Sequence, residues 1–124
     1  MANTFKVTTA STVATSASDN DYSIYVCPSS TTTVVLSVLL ANKHTTSIKA
    51  SVLLSSDTGN SGNNANRNLG NNQDAYIIRN VNIDEETSLE IMSGQKYVLQ
   101  ATDHIKILAD NENLDVVLSY MEVT

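Results

Sequence analysis

The chain has 124 residues, which is enough for one domain with a single hydrophobic core that needs no disulfides. It is 41% hydrophobic, 5% aromatic and 16% charged, so serine, threonine and asparagine supply most of the polar surface. The formal net charge of −6 opposes contact with phosphate groups, and we therefore exclude a nucleic-acid partner.

The N-terminal segment, residues 1–17, is predicted to be either an extended arm or a first strand. Residues 4–9 have the composition of a strand, whereas residues 10–21 are rich in serine, threonine and alanine and are expected to add little to a core. The segment lacks the basic stretch followed by an apolar stretch that is typical of a signal peptide. No apolar run in the sequence approaches the roughly 20 residues needed to cross a bilayer. We therefore expect a protein made and folded in a cytoplasm, with no membrane partner.

Short runs rich in Val, Ile and Leu indicate β-strands, because polar or turn-forming residues bound each of them. The runs cover residues 34–40, 47–54, 75–81, 104–109 and 114–123. Residues 22–27 alternate with a period of two until Pro28, which cannot donate to a β-ladder. The runs at 34–41 and 47–54 flank a short polar turn and are predicted to pair as an antiparallel hairpin.

The spacing of turn signals in the second half of the chain, about eight to twelve residues, is typical of a sandwich or jelly roll. In the last strand Val116, Leu118, Tyr120 and Glu122 alternate with the other side chains, so the chain is expected to end within its sheet as a complete domain. We predict an all-β fold for residues 18–124, a single antiparallel β-sandwich of jelly-roll or Ig-like type, with the N-terminal segment extended.

Residues 56–74 form an Asn/Gly-rich segment in which only Leu69 is strongly apolar. Loops of this length without structure of their own are usually functional or disordered, and we favour a contact or variable surface loop over plain disorder. An EF-hand interpretation fails because Gly59 stands at a ligand position and no glutamate closes the loop.

Candidate catalytic and metal-binding groups are few. Asp103 and His104 are adjacent, but neighbouring residues of a strand point to opposite faces, so we interpret them as a solvated turn pair. The other acids near turns are likewise interpreted as solvated charge rather than a calcium site. His44, in a polar turn, has no partners for a metal set, and Cys27, the only cysteine, is predicted to be a small buried hydrophobe. We predict no catalytic residue, no metal and no cofactor.

Five segments carry a resemblance to a known group of proteins. They are the opening MANTFK, YVCPSSTTTVVL at 25–36, AYIIRN at 75–80, GQKYVL at 94–99 and DVVLSYMEVT at 115–124. In their amino-acid sequence and their order along the chain they resemble small virion structural proteins of tailed bacteriophages, especially those of marine cyanobacteria. The chain departs from that group at the Asn/Gly-rich segment, which is usually much shorter, and at residues 83–86.

The resemblance implies a non-enzymatic virion protein present in several copies, a peripheral component of head, neck or tail such as a decoration or fibre-anchoring protein. Its partners would be other virion proteins and further copies of itself, with residues 2–17 as an element ordered on binding. The candidate contact residues are Thr4, Phe5, Val7, Asn60, Asn63, Asn64, Arg67 and Leu69. The alternative is a carbohydrate or cell-surface binding module that uses the Asn-rich loop, although the chain has no Trp and most of its five Tyr lie in predicted strands.

Overall fold

The computed structural model describes residues 2–56, 58 and 72–124. It confirms the predicted all-β fold, because these residues form two antiparallel sheets that pack face to face as a sandwich. The strands of the described residues are β1 (Asn3–Ala10), β2 (Ser23–Val26), β3 (Thr32–Asn42), β4 (Ile48–Ser55), β5 (Ala75–Ile83), β6 (Ser88–Glu90), β7 (Tyr97–Leu99), β8 (His104–Ala109) and β9 (Leu114–Val123).

Strand order distinguishes between the two sandwich types that the sequence left open. Sheet A has the order β1-β9-β3-β6, with β7 also paired to β3, and sheet B has the order β2-β8-β4-β5. The pairing is therefore nested: the first strand pairs with the last, the second with the next to last, and β4 with β5. Counting β6 and β7 as one interrupted strand on β3 gives the eight strands of a jelly roll.

The N-terminal segment is a strand rather than an arm. All eight residues of β1 pair with β9, from Asn3 opposite Val123 to Ala10 opposite Val116. The residues that follow β1 also contribute to the interior, contrary to expectation, since Val13 and Ala14 are buried. Residues 3–14 are therefore ordered by contacts within their own chain.

The predicted hairpin between β3 and β4 is wrong, because the two strands lie in different sheets. Each is a central strand of its own sheet, β3 between β9 and the β6/β7 pair, and β4 between β8 and β5. The chain crosses between the sheets at Asn42. Its side-chain amide donates to the carbonyl oxygens of Thr46 and Ile83 at 3.0 Å and of Asp84 at 3.2 Å, which fixes the crossing.

The core lies between the two sheets and is built from alternate residues of the long strands. The predicted alternation of β9 is confirmed, since Val116, Leu118, Tyr120 and Glu122 are all buried. Ile48, Ala50 and Val52 of β4 face them from sheet B and are fully buried. Burial of each such large aliphatic side chain contributes about 1.5–3 kcal/mol, so the sandwich is held together mainly by this layer.

Candidate interaction surface

The outer face of sheet A, which points away from the core, carries exposed apolar side chains. Phe5 and Val7 of β1 are 72% and 59% exposed, and Val98 of β7 is 59% exposed. Exposed apolar side chains are ordinary when they are scattered singly, but a contiguous group indicates a contact surface. The strand register shows whether these three side chains are scattered or belong to a contiguous group.

A row of apolar side chains crosses four strands of sheet A. Phe5 of β1 is opposite Met121 of β9, Met121 is opposite Val34 of β3, and Val34 is opposite Val98 of β7. Directly opposed residues of antiparallel strands point to the same face, so these four side chains are neighbours on the outer face. The exposed Phe5 and Val98 are therefore joined into one apolar row through the half-buried Met121 and Val34.

Further apolar residues extend the row along the strands. They are Val7, Val117, Val123 and Leu39, whose registers place them on the same face as Phe5 and Met121. We call this surface the outer patch: Phe5, Val7, Val34, Leu39, Val98, Val117, Met121 and Val123. The intervening outward positions of β1 and the neighbouring part of β9 are Asn3, Thr9 and Ser119, which are uncharged. None of the eight patch residues is charged, on a chain of net charge −6, and the exposed Glu90 of β6, which is opposite Leu39, lies at the border of the patch.

On the inner side of the same edge, Glu122 anchors β1 and joins the two sheets. Its Oε1 is 2.7 Å from Nζ of Lys6 in β1, and its Oε2 accepts a hydrogen bond of 2.6 Å from the hydroxyl of Tyr25 in sheet B. The Tyr25 hydroxyl also lies 2.8 Å from Oγ1 of Thr33, and the Tyr25 ring centroid is 4.4 Å from that of Tyr120. A polar chain through the interior therefore connects three strands of sheet A to sheet B.

The protonation of this network follows from its hydrogen bonds. The bonds from Lys6 and Tyr25 hold the pKa of Glu122 below its ordinary value. Burial, reinforced by the hydrogen bond to Glu122, raises the pKa of Tyr25 far above its ordinary value, and the bond to Glu122 raises that of Lys6. At neutral pH the network is thus an ionised carboxylate between an ammonium group and a neutral phenol.

Within the described residues β1 pairs with β9 alone, and the Lys6–Glu122 ion pair affects how the other edge of β1 can be used. Natural sheets discourage edge-to-edge pairing by placing a charged side chain inward on the edge strand, which is the position of Lys6. Lys6 is opposite Tyr120 of β9, whose side chain is on the inner side of the sheet. The charge of Lys6 therefore disfavours the addition of a foreign strand at this edge, whereas no charged side chain interrupts the row Phe5–Met121–Val34–Val98.

The predicted solvated pair Asp103–His104 is wrong for Asp103, whose side chain is buried. Its Oδ1 accepts hydrogen bonds of 2.7 Å from Oγ of Ser56 and from Oγ1 of Thr58, and its Oδ2 accepts one of 2.9 Å from the backbone N–H of Gln100. Hydroxyl groups distant in sequence replace the water that a turn carboxylate normally keeps. Asp103 is therefore a structural carboxylate that ties the β7–β8 turn to the end of β4.

Cys27 is buried, as the sequence predicts, and its Sγ lies 3.2 Å from Oγ1 of Thr33. Burial raises the pKa of the thiol. Within residues 2–56, 58 and 72–124, no group of three or more His, Cys, Asp or Glu is placed to hold a metal ion. No helix in that part of the chain is long and apolar enough to cross a membrane.

The structure places the sequence-predicted contact residues in two different situations. Phe5 and Val7 lie in the outer patch, whereas Thr4 is opposite Glu122 and points to the inner side of the β1 edge. The candidates of the Asn-rich loop lie outside the described residues: Asn60, Asn63, Asn64, Arg67 and Leu69.

Sequence reasoning missed the partners of Phe5 in the patch, Val34, Val98 and Met121. The sequence carried a signal for Val34 and Met121, because their strands, β3 and β9, have apolar residues on both faces. In an antiparallel strand with one face in water, apolar residues normally alternate with polar ones.

No protein-family model, curated protein sequence or solved structure matches this chain.

Proposed function

We propose that this protein is a non-enzymatic structural protein that works by protein–protein contact, and that the outer patch is where copies of the chain meet. The observation that carries the proposal is the apolar row Phe5–Met121–Val34–Val98, contiguous across sheet A. Such a surface is unfavourable in water and is stabilised when a second surface covers it.

The size of the face supports a second copy as the occupant. With strands about 4.8 Å apart and a rise of about 3.4 Å per residue, the eight residues of β1, the matching lengths of β9 and β3, and the three-residue strands β6 and β7 present a face of roughly 500 Å². Two such faces bury about 1,000 Å² in total, which is the lower limit for a specific interface. The contact is thus large enough for reversible or symmetric assembly of copies.

Charge also supports a second copy. Each copy has a net charge of −6, and opposing like charges across an interface disfavours association. Contact centred on the row Phe5–Met121–Val34–Val98 keeps most acidic residues of both copies out of the interface and leaves Glu90 at its border. A strongly charged partner would instead be recognised through charged side chains, which the patch lacks.

The proposed place of such an assembly is a phage particle, as a multi-copy peripheral component of head, neck or tail that also contacts other virion proteins. The support is the resemblance of the five sequence segments, together with a jelly-roll topology of the kind found in viral capsid domains. In this role the protein needs neither a cofactor nor a catalytic residue.

The test of this function is quantitative mass spectrometry of purified phage particles from the lysate in which the protein is produced. We expect the protein to co-purify with the particles in several copies per particle. Recovery only in the particle-free fraction would contradict the virion role.

A further inference from the structure

A polar groove lies on sheet B, on the side of the sandwich opposite the outer patch. Its cavity volume is about 430 Å³, within the usual range for ligand sites. His104 and Lys106 of β8 point into it, since they alternate with the buried Ile105 and Ile107. The lining residues are Ser55, Ser56, Asp74, Thr102, His104 and Lys106.

The walls of the groove are fixed from beneath by Asp103. This buried carboxylate accepts a hydrogen bond from Ser56 on one wall and belongs to the same turn as Thr102 on the other. Thr102 has a φ of 71°, a left-handed conformation that is strained for a β-branched residue. The hydrogen bond from Ser56 to Asp103 ties the two walls together, and such preorganisation lowers the entropic cost of binding.

The groove offers both donors and acceptors. Nδ1 of His104 lies 2.7 Å from Oγ of Ser23, and no other described residue bonds to its Nε2. Oδ1 of Asp74 accepts hydrogen bonds from Oγ of Ser55 at 3.0 Å and from the Ser56 N–H at 2.9 Å, whereas Oδ2 has no partner within the described part of the chain. Lys106 adds an ammonium group as a further donor.

Two tyrosine rings flank these polar groups. Nζ of Lys106 is 5.3 Å from the centroid of the Tyr22 ring. Tyr76 is 52% exposed and shares its face of the sheet with Lys106, because Leu53 is opposite both. The groove thus combines hydroxyl, imidazole, ammonium and carboxylate groups with nearby aromatic surface.

We propose that this groove binds a saccharide. Hydroxyl groups both donate and accept hydrogen bonds, and the mixed lining of the groove matches them, whereas an apolar ligand would leave these polar groups unpaired. A polyanion is disfavoured by Asp74 and by the net charge of −6. The site does not depend on the outer patch, because its lining residues belong to sheet B and to the turns beside it.

The test is an NMR titration of the ¹⁵N-labelled full chain with glucose, galactose and N-acetylglucosamine, each up to high millimolar concentration. We expect at least one sugar to shift the amide signals of His104, Lys106 and Asp74 and to leave those of Phe5 and Val7 unchanged. Absence of shifts with all three sugars, or shifts spread over both sheets, would overturn the proposal. So would equal shifts produced by inorganic sulfate, which would indicate a simple anion site.

A matched pair of variants adds a second readout. Lys106→Gln is expected to raise the Kd of the bound sugar about tenfold, because a hydrogen bond from a charged donor is lost. Lys49→Gln, at an exposed position of β4 outside the groove lining, is expected to leave the Kd unchanged. Equal effects of the two substitutions would contradict the proposed site.

Discussion

The hydroxyl of Tyr25 in sheet B lies 2.6 Å from Oε2 of Glu122 in sheet A, so a buried hydrogen bond joins the two halves of the sandwich. The other carboxylate oxygen bonds to Lys6, which lies on the edge strand β1. Glu122 therefore links sheet B to the strand that carries Phe5 and Val7.

Tyr25→Phe is predicted to lower the free energy of unfolding by about 1–3 kcal/mol, because Glu122 loses a donor in a buried site. Urea denaturation measures the change. Tyr97→Phe is the matched control, since the Tyr97 hydroxyl makes only an exposed 3.4 Å hydrogen bond to Gln95. Equal losses in the two variants would show that the Tyr25–Glu122 bond contributes nothing specific.

Acidification is predicted to weaken the fold through Glu122. Its pKa is lowered in the folded state, so its contribution is fully present above the ordinary glutamate value and is lost as the pH falls through the lowered one. Lys6 stays protonated over this range, because its pKa is raised. The difference in unfolding free energy between wild type and Glu122→Gln should therefore shrink as the pH falls below about 4. A difference that does not change with pH would contradict the assignment.

Asp103→Ala is predicted to cost about 3 kcal/mol of unfolding free energy, because Ser56, Thr58 and the Gln100 N–H all lose their acceptor. The control is Asp21→Ala, at an exposed position, with an expected change within about 0.5 kcal/mol. Thermal or urea denaturation of both variants measures the contrast. A small change for Asp103→Ala would mean that its carboxylate is solvated after all.

Cys27 is predicted to resist thiol reagents in the native protein, because it is buried and its pKa is raised. With Ellman's reagent, we expect the native protein to react at least about a hundredfold more slowly than the protein in urea, since reaction requires local opening. Similar rates in the two conditions would show that the thiol is accessible.

The sequence was sufficient to predict the strands and the sandwich, because apolar runs, alternation and turn residues are local signals. The partner of β3 was not predictable in this way, since its pairing with β9 joins residues about eighty positions apart and no local pattern encodes it. The burial of Asp103 was missed for the same reason, because its partners Ser56 and Thr58 belong to another part of the chain. The structure also assigns β1 to the sheet, so removing residues 1–18 would disturb the fold as well as any interface.

A point substitution on the outer patch is therefore a cleaner test of assembly than a truncation. Phe5→Asp places a charge at the most exposed position of the patch, at the β1 end of the apolar row, without removing a backbone hydrogen bond of β1. Val26→Asp is its matched control, because Val26 is 47% exposed on a strand of sheet B.

The measurement that tests the central claim most directly is the mass of these three proteins in solution by multi-angle light scattering at matched concentration. We predict an oligomer for the wild type and for Val26→Asp, and a monomer for Phe5→Asp. A monomeric wild type, or an oligomer that survives Phe5→Asp, would contradict the claim that copies of this chain meet through the outer patch.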